Sequence, residues 1–341
     1  MKRTSQKHTF FFYCIILILF IITGIYIYNS TTSKQNNAPI TDTRFALNTV
    51  VTITLYDSQD TKILDEAFRL CDKYEAIFSR TMTSSELYQI NHSAQTTLQI
   101  SDELASLVKT GLKYSSLSKG AFDISIAPVS ELWDFTSETP AVPQKSEIEK
   151  QLTYVGYQNF SIAGNTLKKK QLGNQLDLGA IAKGYIADRI KDFLLKSGVN
   201  NAVISLGGNI LCVGDKNGDS YNIGIQAPFK EHNVTLATLK IKNKSIVTSG
   251  IYERCFTQDG KFYHHILNPK TGYPYENELS SVTIISDKSV DGDALSTTCF
   301  ALGLKEGLAY INSHEAFDAI FVDSEGKIHY SDNLQKKYSM K

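Results

Sequence analysis

The sequence predicts an α+β fold in one large domain behind an N-terminal transmembrane helix. Three observations carry this. Strand-like and helix-like stretches interleave from about residue 44 without a regular βαβ count. No composition shift marks a linker within them. Hydrophobic residues make up 42% of the 341 and aromatics 11%, enough for a real core and too much for a disordered chain.

The first element is the apolar run Thr9–Tyr28, TFFFYCIILILFIITGIYIY, which holds no charge. At about 1.5 Å per residue a helix of that length matches the bilayer hydrocarbon, roughly 30 Å thick. Lys2, Arg3 and Lys7 precede it, and the first acid is Asp42. Positive flanks stay cytoplasmic. The sequence therefore predicts a single-pass protein of the cytoplasmic membrane: residues 1–8 inside, a signal anchor at 9–28, a polar tether at 29–40, and a folded domain at 41–335 outside the cytosol. A cleaved signal peptide competes with the anchor, but no A-x-A-like site follows Tyr28. A lipidated cysteine also competes, but Cys14 lies inside the apolar run.

In the body, Phe45–Tyr56 alternates β-branched residues and reads as a strand. Ile63, Ala67, Cys71, Tyr74 and Phe78 recur every three or four residues, which predicts an amphipathic helix with Cys71 on its core face. Ser101-Asp102 caps a second helix running to Gly120. Residues 136–150 read as a surface excursion entering a short helix, and a further helix covers 181–197 before Gly198. Strands are expected near 201–206, 221–226, 236–241, 262–267 and 281–286, with helices starting near Asp293 and Leu304.

Composition excludes several functions. Lys+Arg and Asp+Glu are both 35, which argues against a nucleic-acid binder. The five cysteines form no CxxC and no zinc-finger spacing, so neither a disulfide framework nor a structural zinc is expected.

Four segments suit chemistry better than packing. Asp177-Leu-Gly-Ala-Ile-Ala-Lys-Gly184 places an acid and a glycine before a helix start, where free amides and the dipole favour phosphate, although many such segments are only caps. Ser205-Leu-Gly-Gly-Asn209 is either a tight turn or a close backbone approach to a planar ligand. Thr248–Arg254 and the following Tyr263–Gly272 bring two histidines to a loop edge near an arginine. Asp293 and Thr297, spaced i, i+4, make a partial shell for Mg²⁺, unless Asp293 merely caps its helix.

In this order and spacing the segments resemble the ApbE family, the FAD:protein FMN transferases. The resemblance rests on DLGAIAKGYIAD (177–188), SLGGN (205–209), VTSGIYER (247–254), HHILNPKTG (264–272) and DALST (293–297), with FSRTMTSSELYQIN (78–91) and SKGAFDISIAPVSELWDF (118–135) upstream. It covers about residues 44–330 and implies a T-fold-related ApbE-like domain. It implies that FMN is transferred from FAD to a Thr or Ser hydroxyl of an acceptor flavoprotein, extracytoplasmic or membrane-bound, with Mg²⁺ bound and AMP released. Carried over by position, the metal falls to the Ala180 carbonyl, Asp293 and Thr297. Flavin contacts fall to Leu47, Thr81, Ala121, Phe122, Asp123, Asp177, Lys183 and Ile266, and the catalytic role to His265. Many members have Met-Gly-Thr where this chain has Leu47-Asn48-Thr49, and an aromatic where it has Thr81. A membrane-tethered FAD pyrophosphatase and a non-catalytic flavin-binding protein are the competing functions.

Overall fold

A computed structural model describes Thr23, residues 38–231 and residues 234–340. The chain divides into two units, Met1–Ala38 and Pro39–Lys341, and the architecture below is that of the second. Apart from Thr23, the expected membrane segment 9–28 lies outside the described residues, and among these no helix is long and apolar enough to cross a membrane.

The centre is an eight-stranded sheet in the order β1-β2-β6-β7-β10-β13-β14-β15, every neighbouring pair antiparallel. Its strands are β1 (Ile40–Ala46), β2 (Thr49–Leu55), β6 (Ala202–Leu206), β7 (Asn209–Val213), β10 (Ser245–Gly250), β13 (Leu279–Ser286), β14 (Asp318–Asp323) and β15 (Ile328–Tyr330); β3 (Thr97–Gln99), β4 (Phe160–Ala163) and β5 (Thr166–Lys169) form a separate three-stranded sheet. Alternation sends successive side chains to opposite faces. Leu211, Ile284, Ala319 and Phe321 thus join the main core. Their neighbours Cys212, Ile285 and Ile320 pack with the hairpin of β8 (Tyr221–Gln226) and β9 (Thr235–Ile241).

On the main-core side lie α1 (Thr61–Phe78), α6 (Ala182–Lys196) and α7 (Ser289–Asn312), with the short α2 (Glu86–Asn91) beside α1 and α3 (Asp102–Leu117) beside α7. α1 buries Leu64, Ala67, Phe68, Cys71, Tyr74 and Phe78, the face expected from its spacing. Burial pushes the Cys71 thiol up to about 12, as suits a packed rather than reactive sulfur. α3 is capped by Ser101, whose hydroxyl accepts from the Leu104 amide. α7 is two helices joined at Gly303, whose φ of 79° breaks the run just before the start expected at Leu304.

Three expected elements are corrected, two of them here. Phe45–Tyr56 is not one strand: Leu47 and Asn48 take φ of 55° and 57°, reversing the chain into the β1/β2 hairpin. Both central residues at positive φ suit a two-residue hairpin turn, where Asn is favoured. The helix expected near Asp293 begins a turn earlier, at Ser289.

A smaller cluster seats the loop after β12 (Lys261–His264), which pairs with β11 (Cys255–Gln258). Trp133, in α4 (Ala127–Trp133), and Ile148, in α5 (Lys145–Leu152), pack on Leu267, and the Trp133 indole donates to the Gly272 carbonyl at 2.8 Å. Gly272 has φ of 74°, and a Cβ there would lie 2.4 Å from Ile148. The loop from His265 to Gly272 is therefore fixed from beneath.

Candidate functional site

The site is built where α6 meets α7. Neither helix supplies its own side-chain cap: the preceding residues Ile181 and Lys288 make no such bond. Each is capped by a carboxylate of the other. The Gly184 amide, in the first turn of α6, donates to Asp293 Oδ2 at 2.8 Å. The Ser289 and Val290 amides, opening α7, donate to Asp188 Oδ1 and Oδ2 at 2.8 and 3.0 Å. Asp293 therefore caps, but not its own helix.

This exchange exposes a carbonyl. The helical acceptor of the Gly184 amide would be Ala180, and that amide is given to Asp293 instead, while Ala182 N before it and Tyr185 N after it keep helical partners in Leu178 O and Ile181 O. The Ala180 carbonyl is left without its helical donor. Thr297, one turn beyond Asp293, lies 3.1 Å from Ser249 through their hydroxyls.

Asp293 is buried, with one bond to its Oδ2 and none to its Oδ1 among the described residues. Burial raises its pKa, while the Lys183 charge and the Gly184 amide oppose that rise. A desolvated carboxylate with a spare oxygen, beside a free carbonyl and a hydroxyl, suits a hard divalent cation. Among the described residues no three His, Cys, Asp or Glu gather as a metal group. A set with one acid does not require such a group, because Mg²⁺ keeps waters and substrate phosphates as further ligands.

The two histidines part company. His264 is buried, accepts the Ile266 amide on Nδ1 at 3.3 Å and donates from Nε2 to the Tyr275 carbonyl at 3.0 Å. Both nitrogens are thus occupied, and burial holds its pKa down at about 4. His265 lies just past the end of β12, so the strand expected over 262–267 stops at His264. Its Nδ1 lies 3.2 Å from the Arg254 carbonyl, which also accepts its amide at 3.1 Å. A proton on Nδ1 leaves Nε2 as the free base. Burial, followed by the charge of Arg254, pushes its pKa down to about 3, with Lys183 adding to the effect. Lys183 therefore acts electrostatically on both His265 and Asp293.

This changes the expected pH behaviour. An ordinary histidine would place an ionisation near 6–7 in the rate profile. Here the depressed value moves the histidine step in kcat/KM to lower pH; a step at or above 6.5 would refute the depression. The stability sign follows. Both folded pKa values lie below the unfolded value of 6.5, so the unfolded chain binds more protons between them. The histidine contribution to stability is full above about 6.5 and falls as pH drops towards 4 and 3.

Asp177 is the other anchor. Its Oδ2 pairs with Arg80 Nε at 3.0 Å, its Oδ1 accepts the Gly179 amide at 2.9 Å, and its own amide donates to the Ile124 carbonyl at 2.7 Å. Arg80 stands in a motif read from sequence, but nothing there pointed to Asp177. In 121–123, the side chains of Phe122 and Asp123 turn inward. Asp123 binds Ser125 and the Tyr157 amide, and Ala121 offers its carbonyl to the Tyr275 hydroxyl at 2.8 Å. Ile266 is also buried. Leu47 lies in the β1/β2 turn, and Thr81 is exposed beside Ser79; no bond joins either to the α6–α7 groups.

SLGGN is a tight turn. Gly207 has φ of 71°, and a Cβ on it would meet Thr49 Oγ1 at 2.7 Å. Asn209 accepts from the Ser289 hydroxyl at 2.7 Å, tying this motif to α7. The cavity of about 460 Å³ lined by Ile251, Phe262, His264 and Tyr275 holds none of Lys183, His265 or Asp293.

Comparison with known proteins bears on the family and the fold. The family model described as "ApbE family" matches residues 47–321. An FAD:protein FMN transferase of Klebsiella pneumoniae (strain 342) is 37% identical over 292 residues, covering 85% of this chain and 90% of its own. One of Treponema pallidum (strain Nichols) is 33% identical over 285 residues, 79% of each chain. Among solved structures, the ApbE protein of Thermotoga maritima superposes with a TM-score of 0.80 at 32% identity, covering 87% of this chain and 98% of its own. The flavin transferase ApbE of Vibrio cholerae does so at 0.79 and 26%, with the same coverage. With the family model spanning most of the chain and the fold shared, this protein belongs to the ApbE family.

Proposed function

We propose that the chain is a transferase that moves FMN from FAD to a Ser or Thr hydroxyl of an acceptor flavoprotein, releasing AMP. The observation that carries this is the Gly184–Asp293 bond, which sets a buried carboxylate and an unengaged carbonyl at a helix start beside Lys183, itself within electrostatic reach of His265. The names of the relatives support the same reading.

In the reaction the acceptor oxygen forms a bond to the phosphorus of the FMN half, and the bond from that phosphorus to the AMP oxygen breaks. The hydroxyl proton passes to His265 Nε2, whose lone pair is kept free by the Nδ1 contact to Arg254. Lys183 and the positive dipole end of α6 offset charge on the pyrophosphate. Ala180, Asp293 and Thr297 would hold Mg²⁺, which neutralises charge on the phosphates and steadies the leaving group. Asp177, pinned by Arg80, orders the turn ahead of α6.

The test is intact mass of an acceptor flavoprotein after incubation with the purified chain, FAD and Mg²⁺. The expected result is a gain of one FMN less water, dependent on all three; release of FMN and AMP with no gain in acceptor mass would make the chain a pyrophosphatase. His265→Ala should keep FAD binding and lose transfer by at least about 10²-fold. His264→Ala should cost stability but stay within a few-fold in kcat. Equal losses in kcat from both would remove His265 from the chemistry.

The proposal includes location. Three basic residues before the uncharged run 9–28 support a cytoplasmic-membrane anchor with the domain outside the cytosol, facing membrane-bound or extracytoplasmic acceptors. A reporter fused after Lys341 should be active only on the outer side; activity in the cytoplasm would overturn it.

A further inference from the structure

We propose that Asp188 is a positioning residue for the metal site, setting the register of α7 so that Asp293 meets the Ala180 carbonyl. This rests on the metal assignment above. Asp188 and Gly184 are four residues apart on α6, and Ser289 and Asp293 four apart on α7. Gly184 holds Asp293, and Asp188 holds Ser289 and its neighbour, so the two helices are fastened at two points one turn apart, in antiparallel register.

The fastening is specific. Both carboxylate oxygens of Asp188 are used, each on a separate α7 amide at 2.8 and 3.0 Å. The Ser289 side chain is held independently by Asn209 Oδ1 at 2.7 Å and the Ser245 hydroxyl at 2.9 Å. Tyr114 donates to Asp291 Oδ1 at 2.6 Å, fixing the intervening turn from α3. The backbones touch: a Cβ on Gly184 would lie 2.4 Å from the Ser289 carbonyl oxygen. With so little slack, a shift at Ser289 is transmitted along one helical turn to Asp293. Asp188 touches neither substrate nor metal; it acts through the position of Asp293. Groups that orient a ligand in this way typically change metal affinity by about 10- to 100-fold when removed.

The experiment titrates Mn²⁺ into the full chain, reading free ion by electron paramagnetic resonance, with FAD affinity and Tm measured in parallel. Asp188→Asn, which keeps one acceptor oxygen, should weaken Mn²⁺ binding by about 10-fold or more while FAD affinity stays within a few-fold. Excess metal should then restore much of kcat. Unchanged Mn²⁺ affinity, or equal losses for Mn²⁺ and FAD, would overturn the assignment. Asp293→Ala is the control: if it too binds Mn²⁺ normally, the metal reading itself fails, whereas if it alone loses Mn²⁺ only the role of Asp188 is refuted. Should Asp188→Asn not fold, Asp188→Glu carries the test. It keeps the charge but moves both acceptor oxygens one methylene from the Ser289 and Val290 amides, so weaker Mn²⁺ with FAD affinity kept supports the register lock and unchanged Mn²⁺ overturns it. Ser289→Ala leaves both Asp188 bonds in place and serves as the comparison, with Mn²⁺ affinity expected near wild type.

Discussion

Asp293→Ala should abolish FMN transfer, by about 10³-fold or more, without unfolding the protein. The size follows from the role: a metal on transferring phosphates stabilises the transition state by several kcal/mol, and each 1.4 kcal/mol is about tenfold in rate. The fold should survive because the carboxylate is a cost to the metal-free protein. Burial raises its pKa, so at neutral pH the charged form is disfavoured in the folded state, a penalty that fades only as pH falls. Losing it offsets the orphaning of the Gly184 amide, itself worth about 1–3 kcal/mol. Without metal, the variant's Tm should fall within about 4 °C of wild type. Mg²⁺ with FAD should raise the wild-type Tm and leave the variant's unmoved. A variant that turns over at wild-type rates after chelation and Mg²⁺ return would remove Asp293 from the site. Thr297→Val should lose less, because water can replace a neutral oxygen ligand.

Gly184→Ala should damage both the stability of the domain and its candidate metal site. Its added carbon would lie 2.4 Å from Ser289 O and 2.6 Å from both Ser289 C and Val290 Cα. All three are backbone atoms, so no side chain can rotate aside. Overpacking of this kind costs about 1–3 kcal/mol, occasionally more. The movement that relieves it separates α6 from α7, stretching the Gly184–Asp293 and Asp188–Ser289 bonds together. Thermal unfolding should show a lowered Tm, and Mn²⁺ titration a weakened site. A Gly184→Ala protein with wild-type Tm and metal affinity would show that the helices are not in this contact.

The helices were readable from sequence because their apolar spacing is local. Ile63 to Phe78 repeats every three or four residues, and Ser101 and Gly198 mark a start and an end. The β1/β2 turn was not, because β-branched alternation continues on both sides of Leu47-Asn48 and no glycine interrupts it. β7 was overlooked because it follows the Gly207-Gly208 turn at once and pairs back on β6. At the candidate site, Asp293, Thr297 and His265 stand in short motifs legible in the sequence. The partners that position them are not: Asp188 reaches Ser289 across 101 residues, and Arg80 is similarly remote from Asp177. Nothing in local pattern encodes a contact of that span. The division between His264 and His265 came from a motif; its physical basis, one ring spent on two backbone partners and the other with a nitrogen to spare, needed coordinates.

The order of the sheet has a consequence for synthesis. From β2 outward, strands are added in the order in which the chain is made: β6, β7, β10, β13, β14, β15. Each newly made strand finds the open edge left by the one before, so the sheet can grow in a single direction. α7 emerges only between β13 and β14. A nascent chain that has just finished β13 therefore already holds Asp177, Lys183 and His265 but lacks the carboxylate of Asp293. On the metal assignment proposed above, pyrophosphate chemistry is withheld until more than four-fifths of the 341 residues exist, and the last helix to join the main layer is the one that arms it.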